Sequence, residues 1–221
     1  DMKAFQKLIV TSAAYRQSSG SVTDASTRTL HKGTKSDLQN RLIWRGPRFR
    51  LPGEIIRDQA LAVSGLLARK IGGRSVRPYM PAGVWDETSR YGNLRNYKHD
   101  VAEGLHRRTV YTIWKRTAAP PSMLLFDAPN REVCTVKRSR TNTPLQALSL
   151  LNEVTFVEAA RRLAEKILAE GGETTTGRLA FGFQLVTARK PTADEVQILH
   201  DGLTVDLTRF SAETPNAESL L

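Results

Sequence analysis

The stretch TPLQALSLLNEVTFVEAARRLAEKILAE, residues 143–170, decides the fold class. Thr143 suits a helix N-cap, Pro144 the first helical position, and Gln146 completes a capping box. Leu145, Leu148, Leu151 or Asn152, Thr155, Ala159, Arg162 or Leu163, and Lys166 or Ile167 then follow the 3.6-residue period, and Gly171-Gly172 supplies a stop. The spacing predicts one helix from Thr143 to about Glu170, the longest element of the chain. Downstream, Leu179 to Thr187 and Ala193 to Leu203 read as a final helix pair, the second opened by the box Thr192-Ala-Asp-Glu195, and residues 211–221 read as a frayed tail.

Upstream, Met2 to Gln17 reads as a helix with Phe5, Leu8, Ile9, Ser12 and Ala13 on one face. Gln17 to Lys35 is rich in Ser, Thr and Gly and reads as an exposed loop. A second helix is expected from Pro52 to about Ile71, with Ile55, Ile56, Gln59, Ala60, Val63, Leu66 and Leu67 on its period, Ser64 and Gly65 at a close helix contact, and Gly72-Gly73 at its end. Tyr91 to Asn96 reads as a loop. Residues 108–114, RTVYTIW, are rich in β-branched and aromatic types and are expected to form a buried strand, with Val133 to Lys137 as a short second one. The expected fold is therefore mainly α (α+β), a helical domain over residues 1–210 with a small β element, in which the helices surround the Trp114 strand.

The chain has 221 residues, 33 Lys+Arg against 22 Asp+Glu, and one cysteine, Cys134. A single cysteine excludes an internal disulfide framework and any cysteine-cluster metal site. No run approaches the roughly 18 apolar residues of a membrane span. The net charge of +11 favours polyanionic partners or an acidic neighbouring domain, and it is uneven. Residues 1–145 carry 26 basic and 11 acidic side chains, whereas residues 146–221 carry 7 and 11, so the two parts have opposite sign.

His99, Glu103 and His106 have the i, i+4, i+7 spacing of one helix face, a combination that binds metals or moves protons; surface side chains in a loop are the expected reading, and no metal site is assigned. No HExxH, GxSxG, Walker-type or GxGxxG pattern occurs. Cys134 alternates with Val133 and Val136 and is expected to be buried and inert. Two basic runs are the candidate anion-binding residues: Arg41, Arg45, Arg48 and Arg50, and Arg131, Lys137, Arg138 and Arg140 leading into Thr141, Asn142 and Thr143. In the second run, guanidinium groups are expected beside the N–H groups of a helix start, where together they hold an anion. The competing reading is that these arginines pair with Asp58, Asp127 or Glu132 and brace the fold. Trp44, Trp85 and Trp114 with Tyr79, Tyr91, Tyr97 and Tyr111 interleave with arginines as stacking platforms do, although core packing accounts for aromatics at this density.

The blocks LIVTSAAYRQS (8–18), NRLIWRGPRFRL (40–51), EIIRDQAL (54–61), YTIWKRT (111–117), FDAPNREVC (126–134) and RSRTNTPLQAL (138–148) resemble the PSD1 family, also called the domain of unknown function 1553, of planctomycetes and related bacteria. The resemblance spans most of the chain. It implies a carboxy-terminal piece of a large exported protein, in the periplasm or cell envelope, with a cytochrome c-type haem domain and another domain upstream. Any haem c then belongs to those upstream domains, since no Cys-x-x-Cys-His occurs here and this chain needs no cofactor of its own. Members of the family commonly carry an aromatic where His106 stands, which argues further against a site there. The family carries no established reaction and hence no catalytic residues to transfer. The leading expectation is a docking module, bound to the upstream domains of its own polypeptide and presenting a basic face to anionic polysaccharide. An enzyme acting on sulfated or uronic-acid glycans is the rival, with Asp127 and Glu132 or Asp86 and Glu87 as its carboxylate pairs. Nucleic-acid binding rests on net charge alone.

Overall fold

Residues 1–19, 37, 39–85, 97–115 and 117–212 are described by a computed structural model. The chain divides into two compact units, residues 1–50 and 51–221. Helix α1 (Met2–Thr11) belongs to the first. Helices α2 (Gly53–Ser64), α3 (Pro121–Leu125), α4 (Pro144–Asn152), α5 (Val154–Glu170), α6 (Thr175–Thr187) and α7 (Ala193–Ala212) belong to the second, and the fold is mainly α. No described helix is long and apolar enough to cross a membrane.

In the second unit α2 packs chiefly on α5, α5 also carries α4 and α6, and α6 carries α7. Leu61 of α2, Met123 and Phe126 beside α3, and Phe156 and Ala159 of α5 are buried between them, and the Phe126 and Phe156 rings meet edge to face at 6.1 Å. Gly53 permits this approach, since a Cβ there would lie 3.0 Å from Cβ of Phe126.

Several boundaries differ from the sequence expectation for local reasons. The first helix stops at Thr11, because Ser12 turns to an extended backbone and its hydroxyl donates to the Ile9 carbonyl. The second stops at Ser64 rather than Ile71, because Gly65 takes a left-handed φ of 83°, so Gly65 is a terminator and not an interior contact. Its buried stripe is also rotated from the expected one and consists of Gly53, Arg57, Leu61 and Ser64. The expected 143–170 helix is two helices. Glu153 has an extended backbone (φ −74°, ψ 133°) and its carboxylate accepts the N–H groups of Thr155 (3.1 Å) and Phe156 (3.3 Å), which starts α5 anew. Burial pushes this carboxyl group above its ordinary value, while those hydrogen bonds and the Arg57 cation act against the rise. The final pair is present, with the Thr192–Glu195 capping box formed, and its second helix runs on to Ala212. The expected loops over 20–35 and 91–96, the Asp86–Glu87 pair, Tyr91 and the tail from 213 lie outside the described residues.

The expected strands are not formed. Residues 109–111 make a 3₁₀ turn, and among the described residues the small β element reduces to isolated bridges, Ala68 with Arg107, Val76 with Thr112 and Lys115 with Ala118. Two arginines take over the work of a ladder. Arg57 is 4% exposed, and its guanidinium donates to the carbonyls of Arg107 (2.9 Å) and Leu105 (2.6 Å) and to the Thr109 hydroxyl (3.2 Å). Its neighbour Asp58 accepts the Thr109 N–H (2.7 Å) and hydroxyl (2.6 Å). Arg107 in turn reaches the carbonyls of Lys70, Gly72 and Arg74 and stacks 3.9 Å over Tyr111. Trp114 is half-buried and lies outside the centre of the core, which forms around Leu61.

Arg57→Met removes the donors and leaves the Leu105 and Arg107 carbonyls unsatisfied in the interior, each worth about 1–3 kcal/mol. Urea unfolding is expected to show a loss of about 3 kcal/mol or more, and a loss below about 0.5 kcal/mol, the scale of an ordinary surface substitution, contradicts the clamp.

Candidate functional site

The second basic run lies on a loop with a rigid base. Asp127 follows α3 in a left-handed conformation (φ 61°), and its carboxylate accepts the Thr141 N–H at 2.7 Å and the Thr141 hydroxyl at 2.9 and 3.0 Å. The two ends of the loop are thereby drawn together, as in an Ω-loop. Gln146, 1% exposed, locks the same place: its Oε1 accepts the Thr143 N–H (3.2 Å), and its Nε2 donates to the Leu125 carbonyl (2.8 Å) and to the Thr141 hydroxyl (3.0 Å). The expected capping box is present at α4. Its anchoring bonds come from Gln146, since Thr143 Oγ1 is buried with no hydrogen-bond partner among the described residues.

Above this base, residues 131–142 are exposed without a break. Arg131, at a left-handed φ of 66°, places its guanidinium 4.3 Å over the Trp114 ring, and the indole N–H donates to the Asn130 carbonyl at 3.1 Å. Arg138 donates to both carboxylate oxygens of Glu54, at 2.8 and 3.0 Å, where α2 begins. Lys137, Arg140 and Asn142 are exposed on the same loop. Two of the guanidinium groups are thus held elsewhere than at the first turn of α4, Arg131 by Trp114 and Arg138 by Glu54. The braced reading holds for Arg138, with Glu54 in place of the carboxylates expected.

The first run lies in the other unit. Arg45 is half-buried, 5.3 Å from the Trp44 ring, and the Asn40 side chain bridges its backbone N–H (3.2 Å) and carbonyl (2.8 Å). Arg41 and Arg48 are exposed and Arg50 is half-buried.

Cys134 is exposed, which corrects the expectation of a buried, inert thiol. Val133 and Val136 beside it are 71% and 104% exposed. The Asn130 side chain caps the turn at Glu132, the backbone reverses at Arg131, and residues 133–137 pair with no neighbouring strand among those described. The three residues tested as a metal site diverge. His106 Nε2 meets Glu158 at 3.1 Å, Glu103 pairs with Lys70 at 3.7 Å, and His99 Nδ1 contacts its neighbour's carbonyl. Among the carboxylates of the enzyme reading, Asp127 is bound into the loop base and Glu132 accepts from Asn130.

The sequence profile of PSD1, a protein of unknown function (DUF1553), matches residues 1–203. The chain belongs to the PSD1 family. No curated protein and no solved structure matches it. The block 138–148 that carried much of the PSD1 resemblance is the segment that Asp127 and Gln146 pin, whereas Arg57 and Asp58 lie in the block 54–61 and pin the interior. Sequence reasoning found the capping role of Gln146 but missed its bonds to the Leu125 carbonyl and the Thr141 hydroxyl, and it missed the role of Arg57 altogether. The available signal was spacing: Arg57 stands four residues from both Gly53 and Leu61, and Gln146 alone interrupts a run of apolar and small residues at the start of α4.

Replacing Gln146 by Ala removes three hydrogen bonds from a buried site and is expected to cost about 3 kcal/mol. Thr143→Ala is expected to cost about 1 kcal/mol or less. Paired urea titrations check the order, and equal losses would place the cap's weight back on the Thr143 hydroxyl.

Proposed function

We propose that this PSD1 chain is a binding module of a larger exported, cytochrome c-associated protein, docking to its upstream domains and presenting the 131–142 loop to anionic polysaccharide. The observation that carries the reading is the loop itself, twelve consecutive exposed residues bearing Arg131, Lys137, Arg138 and Arg140 on a base fixed by Asp127 and Gln146. A preorganised basic loop loses little conformational freedom when it binds. Sulfate or uronate groups suit guanidinium donors, which match planar and tetrahedral oxyanions in geometry.

Calorimetry with a sulfated and a neutral glycan of equal length, at low and moderate salt, tests this. Binding of the sulfated glycan only, weakening as salt rises, is expected. Lys137→Ala should weaken it without moving the melting temperature. Equal binding of the two glycans, or none, overturns the reading.

A further inference from the structure

The loop is flanked by apolar surface that a polyanion leaves uncovered. Val133 and Val136 on the loop, and Leu145, Leu148 and Leu151 on α4, are all more than half exposed. A face of this kind, cations interleaved with aliphatic side chains, calls for a partner that is at once acidic and apolar.

The same unit carries such a surface on α7. At 3.6 residues per turn, Asp194, Ile198, Asp201 and Val205 fall in one stripe, on the side opposite the half-buried Val196, Leu203 and Phe210. Ile198 is 70% and Val205 66% exposed. Along α7 the charged residues are Asp194, Glu195, Asp201 and Asp206 against Arg209 alone, and Glu195 is already paired with Arg189. Each copy therefore presents a basic, apolar face over residues 131–151 and an acidic, apolar stripe on α7. The 131–151 face spans 21 residues, but the α7 stripe offers only Asp194, Ile198, Asp201 and Val205, well short of the roughly 20–30 residues a side of a standard interface, which is the size class of a weak, reversible contact.

We propose that the 131–151 face also takes a second copy of this chain, the acidic stripe of α7 seating on the basic loop and the α4 leucines. The inference rests on the reading of that face as one that recognises anionic partners. The contact is heterologous, because the two patches differ, so each added copy leaves a further patch open. Polyanion and second copy compete for one surface.

Sedimentation velocity on the whole chain tests this at ionic strengths of about 0.01 M and 1 M, where screening differs most. The average mass is expected to rise at least about twofold with concentration at low salt and to fall back to the monomer at high salt. Ile198→Lys with Asp201→Lys reverses the stripe, and Lys137→Glu with Leu148→Glu reverses the face. Each double variant alone should stay monomeric, and a mixture of the two should associate, since one retains the face and the other the stripe. Circular dichroism and melting curves establish that both are folded. A wild-type chain that is monomeric at every concentration at low salt overturns the proposal. So do variants that associate as well as the wild type, or a mixture that stays monomeric. Sulfated-glycan calorimetry on the stripe variant separates the two claims: binding there, with a monomeric wild type, removes the second copy and leaves the polyanion face standing. Self-association without glycan binding does the reverse.

Discussion

The buried Arg57 guanidinium is the contact on which the larger unit depends. Segments 66–78 and 97–115 have too few backbone pairings to satisfy one another, joined as they are by isolated bridges. Their carbonyls need donors, and a planar guanidinium offers five in a fixed fork, which a lysine ammonium does not. Arg57 projects from α2 into this space, and Asp58 beside it takes the Thr109 N–H and hydroxyl, so one dipeptide on a helix fixes a turn about fifty residues away. Burial draws the Arg57 group below its ordinary value, while the carboxylates of Asp58 and Glu153 and the Tyr97 phenol favour the charged form. Those carboxylates make the internal charge tolerable.

This changes the meaning of the composition. An excess of 26 basic over 11 acidic residues in 1–145 reads as a polyanion-binding surface, yet part of it is interior or committed. Arg57 and Arg107 are buried and hold loop carbonyls, Arg138 is bound to Glu54, and Arg45 is half-buried. Lys137, exposed on the loop, keeps the electrostatic role. Arginine here serves first as a substitute for sheet hydrogen bonding and only then as surface charge.

How much of this was legible follows from the kind of signal each feature leaves. Helices α5, α6 and α7 were readable because their apolar positions recur at helical spacing and their caps are local. The break at Glu153 was hidden, since a glutamate inside a periodic run looks like an ordinary exposed position until its carboxylate turns back on Thr155 and Phe156. The 108–114 stretch misled because β-branched and aromatic residues suit any half-buried extended backbone, and whether a neighbouring strand exists is a tertiary fact. Cys134 misled in the same way: alternation with valines implies burial only where a second layer covers it. The candidate loop was found by its charge and Gln146 by its capping position, whereas the bonds of Asp127 and Gln146 to Thr141 were visible only once the fold had brought them together.

The central claim is that the Arg57–Asp58 dipeptide holds the irregular 105–113 segment as firmly as regular structure would. Native-state hydrogen exchange of the Thr109 amide tests it most directly, because that N–H donates to Asp58 and lies in a 3₁₀ turn with no strand beside it. The account predicts exchange only through global unfolding, with the same free energy of opening as the buried Leu61 amide in α2. Exchange of Thr109 by local opening, at the rate of an exposed loop, would contradict it.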